Sequence, residues 1–176
     1  MSLIKQIFNI QSDEEFSQIA LQIFNLQYNQ NKVYQNFCDL LRIVPEEVTT
    51  IDKIPFLPIE FFKTQQVITS NFVAERTFLS SGTTGQNQSK HIVKDLAVYE
   101  QSFITAFNKF YGSIEDYCVL ALLPSYMERE GSSLIYMTEY LVKHSGHALS
   151  GFYLDEYEKL IETINELKKV NQKTIL

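Results

Sequence analysis

The run YCVLALLP, residues 117–124, constrains the fold more than any other stretch of this 176-residue chain. It is nearly continuous in apolar residues and of strand length, which predicts a strand covered on both faces, as the strands of parallel sheets are. Before it, Asp95 is placed to cap a helix in which Leu96, Tyr99, Phe103, Phe107 and Phe110 keep a 3-to-4 spacing up to Gly112. After it, GSSLIYMTEYLVKHSG reads as a helix stopped by Gly146, and GFYL as a further short strand. Asp155 and Glu158 form a capping pattern ahead of a helix striped by Leu160, Ile164 and Leu167 to about Val170, and NQKTIL opens another strand. From Asp95 onward the order is α-β-α-β-α-β. The expectation is an α/β fold in which N-terminal helices are followed by a mixed or partly parallel sheet flanked by helices.

The first 50 residues read as a helical lead-in to the α/β part over 51–176, the whole being one domain at this length. Ser12 and Glu15 form a capping-box pattern, and Phe16, Ile19, Ala20 and Ile23 keep helical spacing, which predicts a structural helix over about 13–28. NKVYQNFCDLLRI is a second helix that ends before Pro45. TIDKIPFLPIEFFKT carries Pro55 and Pro58, which exclude a regular helix or central strand and leave an extended, aromatic connector. Phe56, Phe61 and Phe62 in it suit either a substrate tunnel or, more commonly, packing onto the core. QQVITS and RTFLSS are β-branched or aromatic runs, and KHIVKD alternates as a strand does, so the intervening Ser/Thr/Gly loop is flanked by strands.

A formal charge of -6 and a pI near 5.1 oppose attraction to nucleic-acid phosphate or an anionic membrane surface. No apolar run approaches the ~18 residues of a membrane span, and the N-terminus lacks a secretory pattern, which together predict a cytoplasmic protein. Cys38 and Cys118 are too few for a disulfide framework or a zinc site; Cys118, within the strand-like run, reads as an inert core thiol, and neither cysteine is assigned a catalytic role. Gly146 interrupts the helical presentation of His144 and His147 as a metal-binding pair.

The stretch FLSSGTTGQNQSKH, residues 78–91, has two open readings. Ser/Thr/Gly composition between two strands is commonly a solvated hairpin. It also suits a phosphate cradle, since backbone amides and hydroxyls converge on phosphate oxygens and glycine permits close approach. The spacing is neither that of a Walker A loop nor of G-x-G-x-x-G.

SSGTTG followed by a lysine resembles the phosphate-binding signature of the adenylate-forming enzymes, the acyl-CoA synthetase and luciferase superfamily. IPFLPIEFFKTQQV, FLSSGTTGQNQSKHIV and LALLPSYMEREGSSLIYM, which span most of residues 54–155, more closely resemble acyl-protein synthetases, the fatty-acid-activating component of bacterial luminescence, and related acyltransferases. Where the superfamily commonly has Pro-Lys after the second glycine this chain has QNQSK, a departure the acyl-protein branch shares. The resemblance implies an incomplete portion of the adenylate-forming large domain, with ATP and Mg²⁺ as cofactors and a fatty acid as substrate. It implies that a carboxylate attacks the α-phosphate of ATP and that a thiol then takes the acyl group. It assigns the phosphates to Ser80, Ser81, Gly82, Thr83, Thr84, Gly85 and Lys90, and the acyl substrate to Ser125 and Tyr126. A plain strand-exit turn with an exposed tyrosine is the alternative for the last two.

The superfamily's adenine-binding segment, Mg²⁺-associated Glu, ribose-binding Asp and mobile-domain Lys match nothing in 1–176, so the resemblance places them beyond Leu176, and the pattern ending in NQKTIL predicts an N-terminal portion of something longer. Two functions follow as expectations. One is part of an acyl-adenylating ligase, inactive alone and completed by a C-terminal half. The other is a catalytically silent α/β fragment acting as a binding or oligomerisation module, self-associating through an exposed sheet edge.

Overall fold

Ser12 opens the first long helix as its sequence pattern requires. Its Oγ accepts from the Glu15 N–H at 3.2 Å, while the Glu15 carboxylate reaches back to the Gln11 N–H at 2.8 Å. In the computed structural model, which describes residues 2–80, 88–124 and 131–176, a short helix α1 (Leu3–Ile7) precedes this helix, α2 (Asp13–Gln30). Asn31 ends α2 and caps α3 (Lys32–Leu40), accepting from the Tyr34 N–H at 3.2 Å. The chain forms two compact units, Met1–Val98 and Tyr99–Leu176.

The first unit is centred on Phe24 of α2 and on Tyr34 and Cys38 of α3, with Val48 against them and Leu21, Ile54 and Leu57 packed around. Phe24 meets Tyr34 edge to face at 6.2 Å. The Tyr34 hydroxyl donates to the Pro55 carbonyl at 2.6 Å, which ties the connector to α3. The connector is less extended than its prolines predict. It holds a 3-10 turn at Ile51–Lys53 and the short helix α4 (Phe61–Thr64), which starts beyond Pro58, where proline no longer removes a needed N–H. Phe61 packs on Phe37 of α3 at 5.9 Å.

The QQVITS run is irregular rather than a strand, because its polar groups turn to α2. The Thr69 hydroxyl donates to Gln27 at 2.8 Å, and Ser70, at φ 64°, bonds Gln30 through both its N–H and its hydroxyl. The strands that flank the Ser/Thr/Gly loop are β1 (Arg76–Leu79) and β2 (Lys90–Val93), an antiparallel pair.

Asp95 accepts from the Ala97 N–H at 2.9 Å, and α5 (Leu96–Tyr111) runs to Gly112, which takes a positive φ of 87°. The division between the units falls within α5. In the second unit the 117–124 run supplies β3 (Cys118–Ala121), all four residues of which are buried. It is the central strand of a parallel sheet, between β4 (Gly151–Phe152) and β5 (Thr174–Ile175). Alternate residues of β3 serve two cores, as the period of a strand dictates. Cys118 and Leu120 pack with Tyr153 and with Leu160 and Leu167 of α7 (Tyr157–Lys169). Val119 packs with Phe107 of α5 and Ile114, beside Leu141 of α6 (Ser133–Ser145).

The fold is therefore a mixture of helices and strands of α/β character, but its strands form two small sheets, one antiparallel and one parallel. Gly146 stops α6 at φ 63°, as its position predicts. The Asp155–Glu158 capping pattern is not realised. The Glu156 N–H turns back to the Tyr153 carbonyl at 3.2 Å, Glu156 takes the cap position of α7, and its carboxylate meets Lys159 at 2.6 Å. Among the described residues no helix is long and apolar enough to cross a membrane.

Candidate functional site

Strand-forming residues set the mouth of the Ser/Thr/Gly loop. Thr77 and Phe78 favour a pleated backbone, Phe78 and Val93 are buried, and the register sets Phe78 opposite His91 and Leu79 opposite Lys90. One residue further on the chain is clasped twice. The Ser80 N–H donates to the Ser89 carbonyl at 3.0 Å, and the Ser89 N–H donates to Ser80 Oγ at 3.0 Å. The Gln88 side-chain amide adds a bond to the Ser80 carbonyl at 2.9 Å.

Of the residues expected to hold phosphate, the structure brings Ser80 and Lys90 together at this mouth, both exposed. Ser80 Oγ acts there as an acceptor for the hairpin, and its O–H hydrogen remains able to donate outward. Lys90 offers a charged ammonium at the start of β2. Ser81, Gly82, Thr83, Thr84 and Gly85 lie outside the described residues, as do Ser125 and Tyr126, which follow β3 and Pro124 in the chain. Among the described residues no group of three His, Cys, Asp or Glu side chains converges to hold a metal ion.

Both cysteines are fully buried. Burial pushes each thiol above its ordinary pKa, partly countered by a hydrogen bond with Tyr34 at Cys38 and with Ser150 at Cys118. Burial also pushes the Tyr34 phenol well up. These groups stay neutral and pack as small or aromatic apolar bodies.

Two of the cavities in the first unit are lined by the connector. One, of about 620 Å³, is lined by Phe16, Ile19, Ala20 and Ile23 of α2 and by Phe56 and Leu57 of the connector. The stripe on α2 that reads as a structural face thus also walls a cavity, and Phe56 stands on its rim at 82% exposure. The other, of about 530 Å³, is lined by Phe62, Thr69 and Phe72 and by His91 and Lys94 from and beside β2. The Pro-aromatic connector was the sequence signal for both, since Phe56 lines the first and Phe62 the second, while Phe61 packs on α3. Compared with protein-family models, curated proteins and solved structures, the chain matches none.

Proposed function

We propose that this chain contributes the phosphate-holding part of an ATP-dependent ligase that activates a fatty acid as acyl-adenylate and passes it to a thiol, in the manner of the acyl-protein synthetases within the adenylate-forming superfamily. The observation that supports this best is the hairpin mouth. A Ser/Thr/Gly sequence begins and ends at one clasped pair, Ser80 and Ser89, with Lys90 beside it. A triphosphate needs donors fixed before it arrives, because preorganised donors are not reoriented as charge develops.

In the proposed reaction a carboxylate oxygen of the fatty acid attacks the α-phosphorus of ATP. The new O–P bond forms as the bond to the β-phosphate oxygen breaks, and pyrophosphate leaves. A thiolate then attacks the acyl carbon, and AMP leaves with the electrons of the O–C bond. The share of this chain is to hold the departing β- and γ-phosphates. Ser80, Ser81, Thr83 and Thr84 donate hydroxyl hydrogens, Gly82 and Gly85 let the backbone approach, and Lys90 supplies positive charge. Ser125 and Tyr126 contact the acyl group. Mg²⁺, when bound, would share the charge of the β- and γ-phosphates with the donors of the loop.

The alternative, a catalytically silent module that self-associates through an edge of the C-terminal sheet, would use β4 or β5. Each has only two residues, so each offers few unpaired N–H and C=O groups to a neighbour. Fatty-acid-dependent exchange of labelled pyrophosphate into ATP separates the two functions, measured on this chain alone and together with the polypeptide encoded next to it. Exchange by the combination supports the ligase, and no exchange by either overturns it.

A further inference from the structure

Two cavities of the first unit, of about 620 and 530 Å³, adjoin, since Gln27, Tyr34 and Leu57 line both. Their chemistry differs. The larger is walled almost wholly by hydrocarbon, and the one carboxylate on its lining is the exposed Asp52. The smaller gathers polar groups of Asn31 and Thr69 with both of the basic side chains found on either lining, His91 and Lys94. Lys94 lies 6.0 Å from the ring centre of Phe72 and forms neither of the ion pairs found among the described residues, Lys159–Glu156 and Lys173–Asp116.

We propose that the two cavities form one binding site for a long-chain amphiphile with an anionic head. Its hydrocarbon fills the chamber under Phe16, Ala20, Ile23 and Phe56, and its head lies at Lys94 and His91. The orientation follows from charge. Asp52 repels an anion from the apolar chamber, whereas the ammonium of Lys94 has no carboxylate partner among the described residues and gains one from the ligand. The shared wall is held in place. Tyr34 is fixed by its bond to Pro55, and Gln27 Oε1 accepts from Asn31 Nδ2 at 3.0 Å and from the Thr69 hydroxyl at 2.8 Å, which leaves the Gln27 amide hydrogens for a ligand or water. Cavities of this size are in the range that buries most of a small ligand. The site rests on the proposed ligase only for the choice of a carboxylate as the head group.

The test is equilibrium dialysis of the chain against radiolabelled tetradecanoate without ATP, with tetradecanol as the uncharged comparison. Saturable one-to-one binding of tetradecanoate is expected. Ala20→Trp, which fills the apolar chamber, is expected to weaken both ligands at least tenfold. Phe56→Asp, at the exposed rim, is expected to do the same in a smaller degree, and circular dichroism and thermal melting establish that each variant is folded. Lys94→Glu is expected to weaken tetradecanoate about tenfold and leave tetradecanol unchanged.

Non-saturable uptake, binding indifferent to both tail-side variants, or equal effects of Lys94→Glu on the acid and the alcohol would each overturn the proposal. So would a dimer in sedimentation that Ala20→Trp dissociates, because a second copy would then occupy the groove. Pyrophosphate exchange that survives Ala20→Trp and Lys94→Glu rejects this cleft and leaves the ligase standing. Cleft binding without any exchange does the reverse.

Discussion

Ser80 and Ser89 hold each other through two hydrogen bonds of 3.0 Å, one between backbones and one from the Ser89 N–H to Ser80 Oγ. The second depends on a side chain. Ser80→Ala removes it at an exposed site, at a cost of about 1 kcal/mol to local order. Hydrogen exchange at the Ser89 amide is expected to rise about fivefold while the global melting point moves little. Ser80→Thr keeps an acceptor and is expected to restore protection.

A serine outside the sheet completes its central strand. Ser150 Oγ accepts from the Val119 N–H at 2.9 Å and from the Ser145 hydroxyl at 2.7 Å, and it lies 3.7 Å from Cys118 Sγ. β4 is only two residues long and pairs with Leu120 and Ala121, so the donor of Val119 finds its partner in this hydroxyl. Ser150→Ala leaves a buried N–H unpaired and is expected to cost about 1–3 kcal/mol in urea unfolding. Ser150→Cys is expected to recover only part of that, since a thiol is a weak acceptor.

At Gly146 the backbone is left-handed, φ 63°, and a Cβ added there meets nothing within 4 Å. Gly146→Ala therefore carries a dihedral cost without a clash, about 1–2 kcal/mol. Gly146→Asn is expected to cost less, because asparagine tolerates this conformation. Thermal unfolding of the two variants beside the parent checks the order.

Alkaline pH acts through the buried thiols and phenol. Burial raises Cys38, Cys118 and Tyr34 above their ordinary values of 9.0, 9.0 and 10.0, so the folded state prefers their neutral forms. The unfolded chain releases these protons first. Their contribution to stability is therefore complete below the ordinary thiol value and is lost as pH rises through the raised folded values. Urea midpoints are expected to fall above about pH 9, and Cys38→Ala with Cys118→Ala is expected to soften that fall. Alkylation at pH 8 is expected to be slow in buffer and fast in urea for both thiols.

Some of this structure was legible in the sequence for a simple reason: local chemistry decided it. Ser12 caps α2, Gly146 stops α6, and the 117–124 run gives a strand covered on both faces, because each depends on a few neighbouring residues. Where long-range partners decided, the sequence misled. QQVITS has strand composition, yet its Thr69 and Ser70 bond to Gln27 and Gln30 of α2. Asp155 has a cap's spacing, yet a turn at Tyr153 moves the start of α7 past it. The apolar face of α2 was visible as a stripe, but which part packs and which part walls a cavity depends on where the connector lies. For the candidate site, Ser80 and Lys90 were found together at the hairpin mouth, whereas the glycines and threonines between them and the pair Ser125 and Tyr126 fall outside the described residues.

Thr84 offers the sharpest single change in the loop. If its hydroxyl donates to the departing phosphates, Thr84→Val, which keeps the shape and removes the donor, is expected to lower the exchange rate by about 10²–10³ with little change in melting point. The same substitution in a merely solvated hairpin would leave any exchange untouched.

The most direct measurement is tetradecanoate-dependent exchange of labelled pyrophosphate into ATP by this chain combined with the polypeptide encoded next to it. Acyl-adenylate formation predicts label in ATP only when the fatty acid is present, and its loss in Thr84→Val. No label above the acid-free control, from the combination as from the chain alone, would contradict it.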